Sequence, residues 1–90
     1  MADLITSWLH AAAAVRSYRE MFELAEAVVA ARHASRRTRA AAQALLRTLR
    51  PVMDAPIAPS DVLKQARLLF DRLVGALQSQ QHLHGLRTHG

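Results

Sequence analysis

The 90-residue chain has no cysteine, no glycine or proline before Pro51, four aromatic residues, and a single lysine among its twelve basic residues. Each scarcity excludes something. Without thiols there is no disulfide framework and no thiolate metal site, and a reducing compartment is permitted. Without Gly or Pro, nothing in the first half of the chain forces a turn, and the good helix formers alanine, leucine and arginine dominate it. No apolar run approaches the roughly 18 residues of a membrane span. The longest, Leu24 to Ala31, is interrupted by Glu26. The N-terminus lacks the basic region and apolar core of a secretory leader and carries Asp3 at once. The expectation is a soluble, cytoplasmic, all-α protein of one small domain, of a size often completed by oligomerisation.

Acidic side chains are also missing from one long stretch. None falls between Glu26 and Asp54, whereas six arginines fall between Arg32 and Arg50. At about 100° per residue, Arg32, Arg36, Arg39, Arg47 and Arg50 share an arc of roughly 80°, with Gln43 filling the gap, and they extend about 27 Å along a helix axis. Ala34, Ala41, Leu45, Leu49 and Val52 fall on the opposite side, with Thr38 and Ala42 at the edges. The segment is therefore amphipathic, arginine outward and apolar inward.

Two apolar seams flank it. Leu4, Trp8, Ala11, Val15, Tyr18, Phe22, Ala25 and Val29 alternate four-and-three spacings, the a/d pattern of a helix packed along a partner. Leu63, Ala66, Phe70, Leu73 and Leu77 repeat it after Pro51, Pro56 and Pro59, which predict an extended connection. Ser60 offers an N-cap and Asp61 suits the positive helix terminus. A single rod through residue 50 would place the seam at Phe22 and the one at Leu49 roughly 150° apart, more than one partner helix covers. A break at Arg32-His-Ala-Ser-Arg-Arg37, with Ser35 as cap, resolves this. The expected helices are about 3–32, 36–51 and 60–81, arranged as an antiparallel hairpin plus a third helix in a dimeric four-helix-type bundle. Trp8, Val15, Phe22, Val29, Leu45 and Leu49 form its core or dimer seam, and residues 82–90 a flexible histidine-containing tail.

Catalytic groupings are absent. Glu20, Glu23 and Glu26 follow Arg16 and Arg19 at ion-pair spacing on a solvated face. His82, His84 and His89 have no frame that would converge them on a metal. There is no Gly-rich phosphate loop and no nucleophile set, so neither enzyme activity, cofactor nor metal is expected. Six guanidinium groups without a competing acid instead form a surface attractive to a phosphate backbone. With no exposed aromatic set for stacking, duplex is favoured over single strand. Two other readings fit the pattern. A small helical chaperone or adaptor, as in bacterial secretion systems, would use the stripe on an acidic protein. A peripheral membrane helix would use it on anionic lipid, although the apolar face behind the stripe is mostly alanine and offers little to insert.

The long first helix, the Arg36-Arg37 pair opening the second, Arg47 and Arg50 near its end, and the proline-bounded segment before the third helix resemble the small helical suppressors of RNA silencing from nodaviruses. Those are short, cysteine-free chains that pair as four-helix dimers and lie along double-stranded RNA. The likeness spans about residues 5–75 and lies in architecture and charge placement. The longer, apolar third helix and the alanine content depart from the family pattern. The resemblance implies that Arg36, Arg37, Arg39, Arg47 and Arg50 contact phosphate and ribose, with Arg32 serving the end of the stripe and Gln43 lying within it. It further implies a homodimer in the host cytoplasm that shields double-stranded RNA from dicing, by shape and charge rather than base sequence.

Overall fold

The computed structural model describes the backbone of residues 4–89 and the side chains of residues 4–82. Four helices and no strand occur among them: α1 (Leu4–Ala13), α2 (Tyr18–Ala30), α3 (Arg36–Met53) and α4 (Ser60–His89). The all-α class is as expected, and so is the break before Arg36. Ser35 takes an extended conformation and its Oγ accepts from the Thr38 amide at 3.1 Å, so the serine caps α3.

A second break was not anticipated. The expected helix 3–32 is interrupted at residues 14–17, because Ser17 caps α2 by accepting from the Glu20 amide at 3.1 Å. Glu20 Oε1 in turn accepts from the Arg16 amide at 2.9 Å and from Ser17 Oγ at 3.3 Å. This reciprocal Ser-x-x-Glu arrangement satisfies donors that an uncapped helix start leaves orphaned. Glu20 is thereby used as a cap instead of as an ion-pair partner of Arg16, and no Arg19–Glu23 pair forms either. The break splits the first seam, so that α1 packs on α4 and α2 packs on α3.

At the other end, α3 continues past Pro51 to Met53. A proline in the last turn forfeits only the bond its amide would have given to the Arg47 carbonyl. Leu63 donates to the Pro59 carbonyl at 3.2 Å, so Ser60 is already helical and does not act as the cap. α4 also runs further than the expected residue 81, reaching His89. Its two interior glycines cost only about 1 kcal/mol each relative to alanine and do not stop it. The side chains of His84 and His89 lie outside the described residues.

α4 spans roughly 45 Å at 1.5 Å per residue and sets the long axis of a 50 × 21 × 19 Å body. Its seam is buried from Ala66 on, with Ala66, Leu73 and Leu77 at zero exposure and Phe70 at 6%, whereas Leu63 is only half-buried and Leu69 and Ala76 join the core. Trp8 from α1, Val28 from α2, and Leu45 and Leu49 from α3 complete one continuous core, against which Val15, Phe22 and Val29 pack half-buried. One chain thus supplies all four helices, where the sequence reading drew two from each of two chains.

The core also contains one polar side chain, Thr38, at zero exposure. Its hydroxyl accepts from Ser35 Oγ and donates to Gln80 Oε1, both at 2.9 Å. Gln80 Oε1 also accepts from the Ser35 amide at 3.1 Å, and Gln80 Nε2 donates to the His33 carbonyl at 2.7 Å. Next to it, Gln81 Nε2 donates to Thr6 Oγ1 on α1 at 2.8 Å. One amide of α4 therefore holds both sides of the α2–α3 turn. Removing it leaves the buried Thr38 O–H and the part-buried Ser35 N–H without the acceptor they share, and each such loss costs about 1–3 kcal/mol. Gln80→Ala is expected to destabilise the chain by about 2–3 kcal/mol in chemical denaturation. Equal stability of the variant and the native chain would show that the clamp is not structural.

Candidate nucleic-acid interface

α3 carries the expected basic face, but its packing turns the helix relative to the wheel drawn from sequence. Thr38 and Ala42, expected at the edges, are fully buried with Leu45 and Leu49, and Leu46 is 8% exposed. Ala41 and Val52, expected inside, are only half-buried. The buried direction is thus displaced by roughly 50° toward Leu46. The outward crest consequently runs through Ala40 and Arg47. Arg36, Gln43 and Arg50 lie on its α2 side and Arg37 on its α4 side.

This rotation decides the fate of Arg39, which lies on the α2 edge and is half-buried. Its Nη2 donates to the carbonyl of Ala31 at 2.8 Å, and Ala31 is the C-cap residue of α2. A cation seated on the carbonyl end of a helix is favoured by the helix dipole. Its Nε is buried without a partner, so the guanidinium is committed to the turn and is not held out to solvent. Arg39 is therefore a structural member of the set in which the sequence placed it. Arg32 lies in the α2–α3 turn and is exposed, across a corner from the helical face.

The remaining cations are free. Arg36, Arg37, Gln43, Arg47 and Arg50 are exposed, and Arg32, Arg36, Arg37 and Arg47 take part in no ion pair or hydrogen bond among the described residues. Arg50 lies with its guanidinium carbon 5.9 Å from the centre of the Phe22 ring, a cation–π distance that leaves its N–H edges available. From Arg36 to Arg50 the face extends about 21 Å. No acid occurs anywhere in α3, and Glu23 and Glu26 point outward from α2 roughly 60–120° around from Val29. The helix itself thus carries only positive side-chain charge, and the nearest acid beyond its end is the exposed C-cap Asp54, one turn after Arg50.

Between α2 and α3 this face borders a groove of about 600 Å³ lined by Val29, Gln43, Leu46, Arg47, Arg50 and Pro51. Its floor is apolar and one wall is cationic. Among the described residues no three His, Asp or Glu side chains converge as metal ligands, and no helix is long and apolar enough to cross a membrane.

The sequence reading missed Gln80, although a signal was present. Continuing the α4 seam by three residues from Leu77 lands on Gln80, a polar side chain at a core position, and Thr38 is its counterpart on α3. Arg72, which lines the α3–α4 groove together with Arg37, carried no such signal, since the groove joins residues far apart in the chain. Compared with known proteins, the chain matches no family model, no curated protein and no solved structure.

Proposed function

We propose that the chain binds double-stranded RNA without catalysis, through shape and backbone charge, and thereby suppresses RNA silencing by shielding the duplex. One observation carries this reading: four exposed arginines on α3, free of neutralising acids, on a helix fixed by packing on both sides. Phosphate contacts release condensed counterions, so such a face binds a backbone irrespective of base sequence. A straight helix laid across the wide, shallow minor groove of A-form RNA reaches phosphates and 2′-hydroxyls on both sides. Phe22 is covered by Arg50 and half-buried, leaving no open aromatic platform for single strands on this face. Tyr18, Phe22 and Val29 pack half-buried along the edge of α2, and their remaining apolar surface is where a second copy would dock. A homodimer through this edge would lengthen the basic face.

The α2–α3 groove favours a second reading. An apolar floor of Val29, Leu46 and Pro51 beside Arg47 and Arg50 suits an acidic amphipathic segment, as a chaperone or adaptor would require. The two readings part in a gel shift with duplex RNA, duplex DNA and single strands at two salt concentrations. The native chain is expected to prefer duplex RNA, to lose affinity steeply with salt, and to lose binding with Arg36→Glu plus Arg47→Glu while its helicity persists. Weak, equal binding to every polymer, unchanged by the charge reversal, would remove the RNA reading in favour of the adaptor.

Arg39 and Arg47 provide a contrast within the same helix. Arg39→Met is expected to lower stability by about 1–2 kcal/mol through loss of the α2 cap, with duplex affinity changed little under folding conditions. Arg47→Gln is expected to leave stability within about 0.5 kcal/mol and to reduce the salt slope of binding by about one. The reverse pattern would show that Arg39 reaches the ligand.

A further inference from the structure

The α4 side of α3 presents a second basic feature. A groove of about 500 Å³ lies between α3 and α4, lined by Arg37 and Ala41 on one wall and by Arg72, Gly75, Ala76 and Ser79 on the other. Arg37 and Arg72 are both exposed, and neither has an ion-pair or hydrogen-bond partner among the described residues. The two arginines come from helices that run antiparallel, so no local charge rule put them in one groove. Gln80 is level with Thr38, so Arg72, eight residues earlier on α4, stands about 12 Å along the groove from Arg37. An anion lodged in the groove would meet a cation toward either end.

The α4 wall of the groove is open to close approach. A Cβ at Gly75 would meet no heavy atom within 4 Å, so glycine there fills no packing need and leaves open space above the α4 backbone. Its backbone is not in the positive-φ region either, so no turn requires it. Glycine inside a helix costs about 1 kcal/mol relative to alanine, and neither packing nor conformation offsets that cost here. Ser79, one turn along the same side, adds an exposed hydroxyl donor. The nearest acid on α4, the exposed Asp71, lies about 100° around the helix from Arg72 and one turn before Gly75, at the edge of the groove.

The crest between the two basic sides runs through Ala40 and Arg47, with Ala44 on its α4 flank. A crest with arginines to either side can enter a groove of a duplex and reach a different strand on each flank. We propose that the groove holding Arg37 and Arg72, lined also by Gly75 and Ser79, is a phosphate site that takes the backbone of the strand opposite the one held by Arg36, Arg47 and Arg50. This rests on the duplex-RNA reading and extends it from a single basic face to a two-sided grip. Arg72, Gly75 and Ser79 thereby join the binding surface, although all three lie outside the arginine-rich segment.

The test measures duplex-RNA affinity against salt for the native chain, Arg72→Gln, Gly75→Leu, Gly75→Ala, and Arg36→Glu plus Arg47→Glu, with helicity checked for each. Arg72→Gln is expected to weaken binding roughly five- to tenfold at 0.1 M salt and to reduce the salt slope by about one. Gly75→Leu, which fills the cleft without changing charge, is expected to weaken binding similarly, whereas Gly75→Ala binds within about twofold of the native chain and resists denaturant slightly better. Native-like binding by both Arg72→Gln and Gly75→Leu, with the Arg36 and Arg47 reversal still abolishing it, would overturn the cleft proposal and leave the α3 face standing. Failure of the native chain to bind duplex RNA would overturn both. Amide resonances of Gly75 and Ser79 should move with duplex RNA. If they move with inorganic phosphate alone and not with duplex, the cleft serves a small anion and the two-strand grip is wrong.

Discussion

The amide of Gln80 is the contact on which the remaining geometry depends. Its oxygen takes the Ser35 amide and the buried Thr38 hydroxyl, and its nitrogen reaches the His33 carbonyl, so a single side chain of α4 fixes both sides of the turn that starts α3. Ser35 caps the helix at the same place, and Arg39 closes the carbonyl end of α2 one turn later. Three polar devices thus converge on five residues of turn that contain neither glycine nor proline. Nothing in the backbone chemistry of Ala31 to Ser35 enforces a reversal, so side chains from elsewhere must hold it.

Once the turn is held, the direction of the basic face follows. Thr38 cannot leave the core without losing its partner, and with Thr38 inward the crest of α3 points along Ala40 and Arg47. Arg36, Gln43 and Arg50 then flank the crest beside α2, while Arg37 flanks it beside α4 and shares a groove with Arg72. Rotating α3 by half a turn would bury the arginines and expose Leu45 and Leu49, each worth about 1.5–3 kcal/mol of burial. Hydrophobic packing therefore sets the coarse phase, and the Gln80–Thr38 bond sets the fine one. This division explains why the chain can present many like charges side by side. Their mutual repulsion acts through solvent at high dielectric, and the burial behind them is stronger.

Much of this was legible in the residues. The lapse of the apolar pattern at Arg32 to Arg37 located the α2–α3 break and its serine cap, and four of the five expected α4 seam positions, Ala66, Phe70, Leu73 and Leu77, are buried. The break at residues 14–17 was hidden because Arg16 and Glu20 satisfy the spacing of an ion pair as well as that of a Ser17 capping box. Only the competition between solvent-exposed charges, which gain little by pairing, and orphaned helix-start amides, which lose much unsatisfied, decides between them. The helical wheel placed Arg39 with the other arginines because periodicity alone cannot register the open carbonyl end of a neighbouring helix. The Arg37–Arg72 cleft was illegible for the same reason, since it is created by the antiparallel packing of α3 on α4. The apolar seams, sufficient for two chains in a shared bundle, are covered by four helices of one because the extra break gives α1 its own path along α4.

Under the proposed duplex-RNA reading, charge acts through a fixed orientation and not merely through its amount. The most direct measurement is duplex-RNA affinity of a Gln80→Leu variant, in which every arginine is retained, taken with hydrogen exchange at the α2–α3 turn. The account predicts faster exchange at Ser35 to Arg39 and affinity reduced by about tenfold, the size of effect expected when one or two phosphate contacts lose register. Unchanged affinity despite an opened turn would contradict it, and would mean that the arginines bind as a cloud of charge independent of the fold.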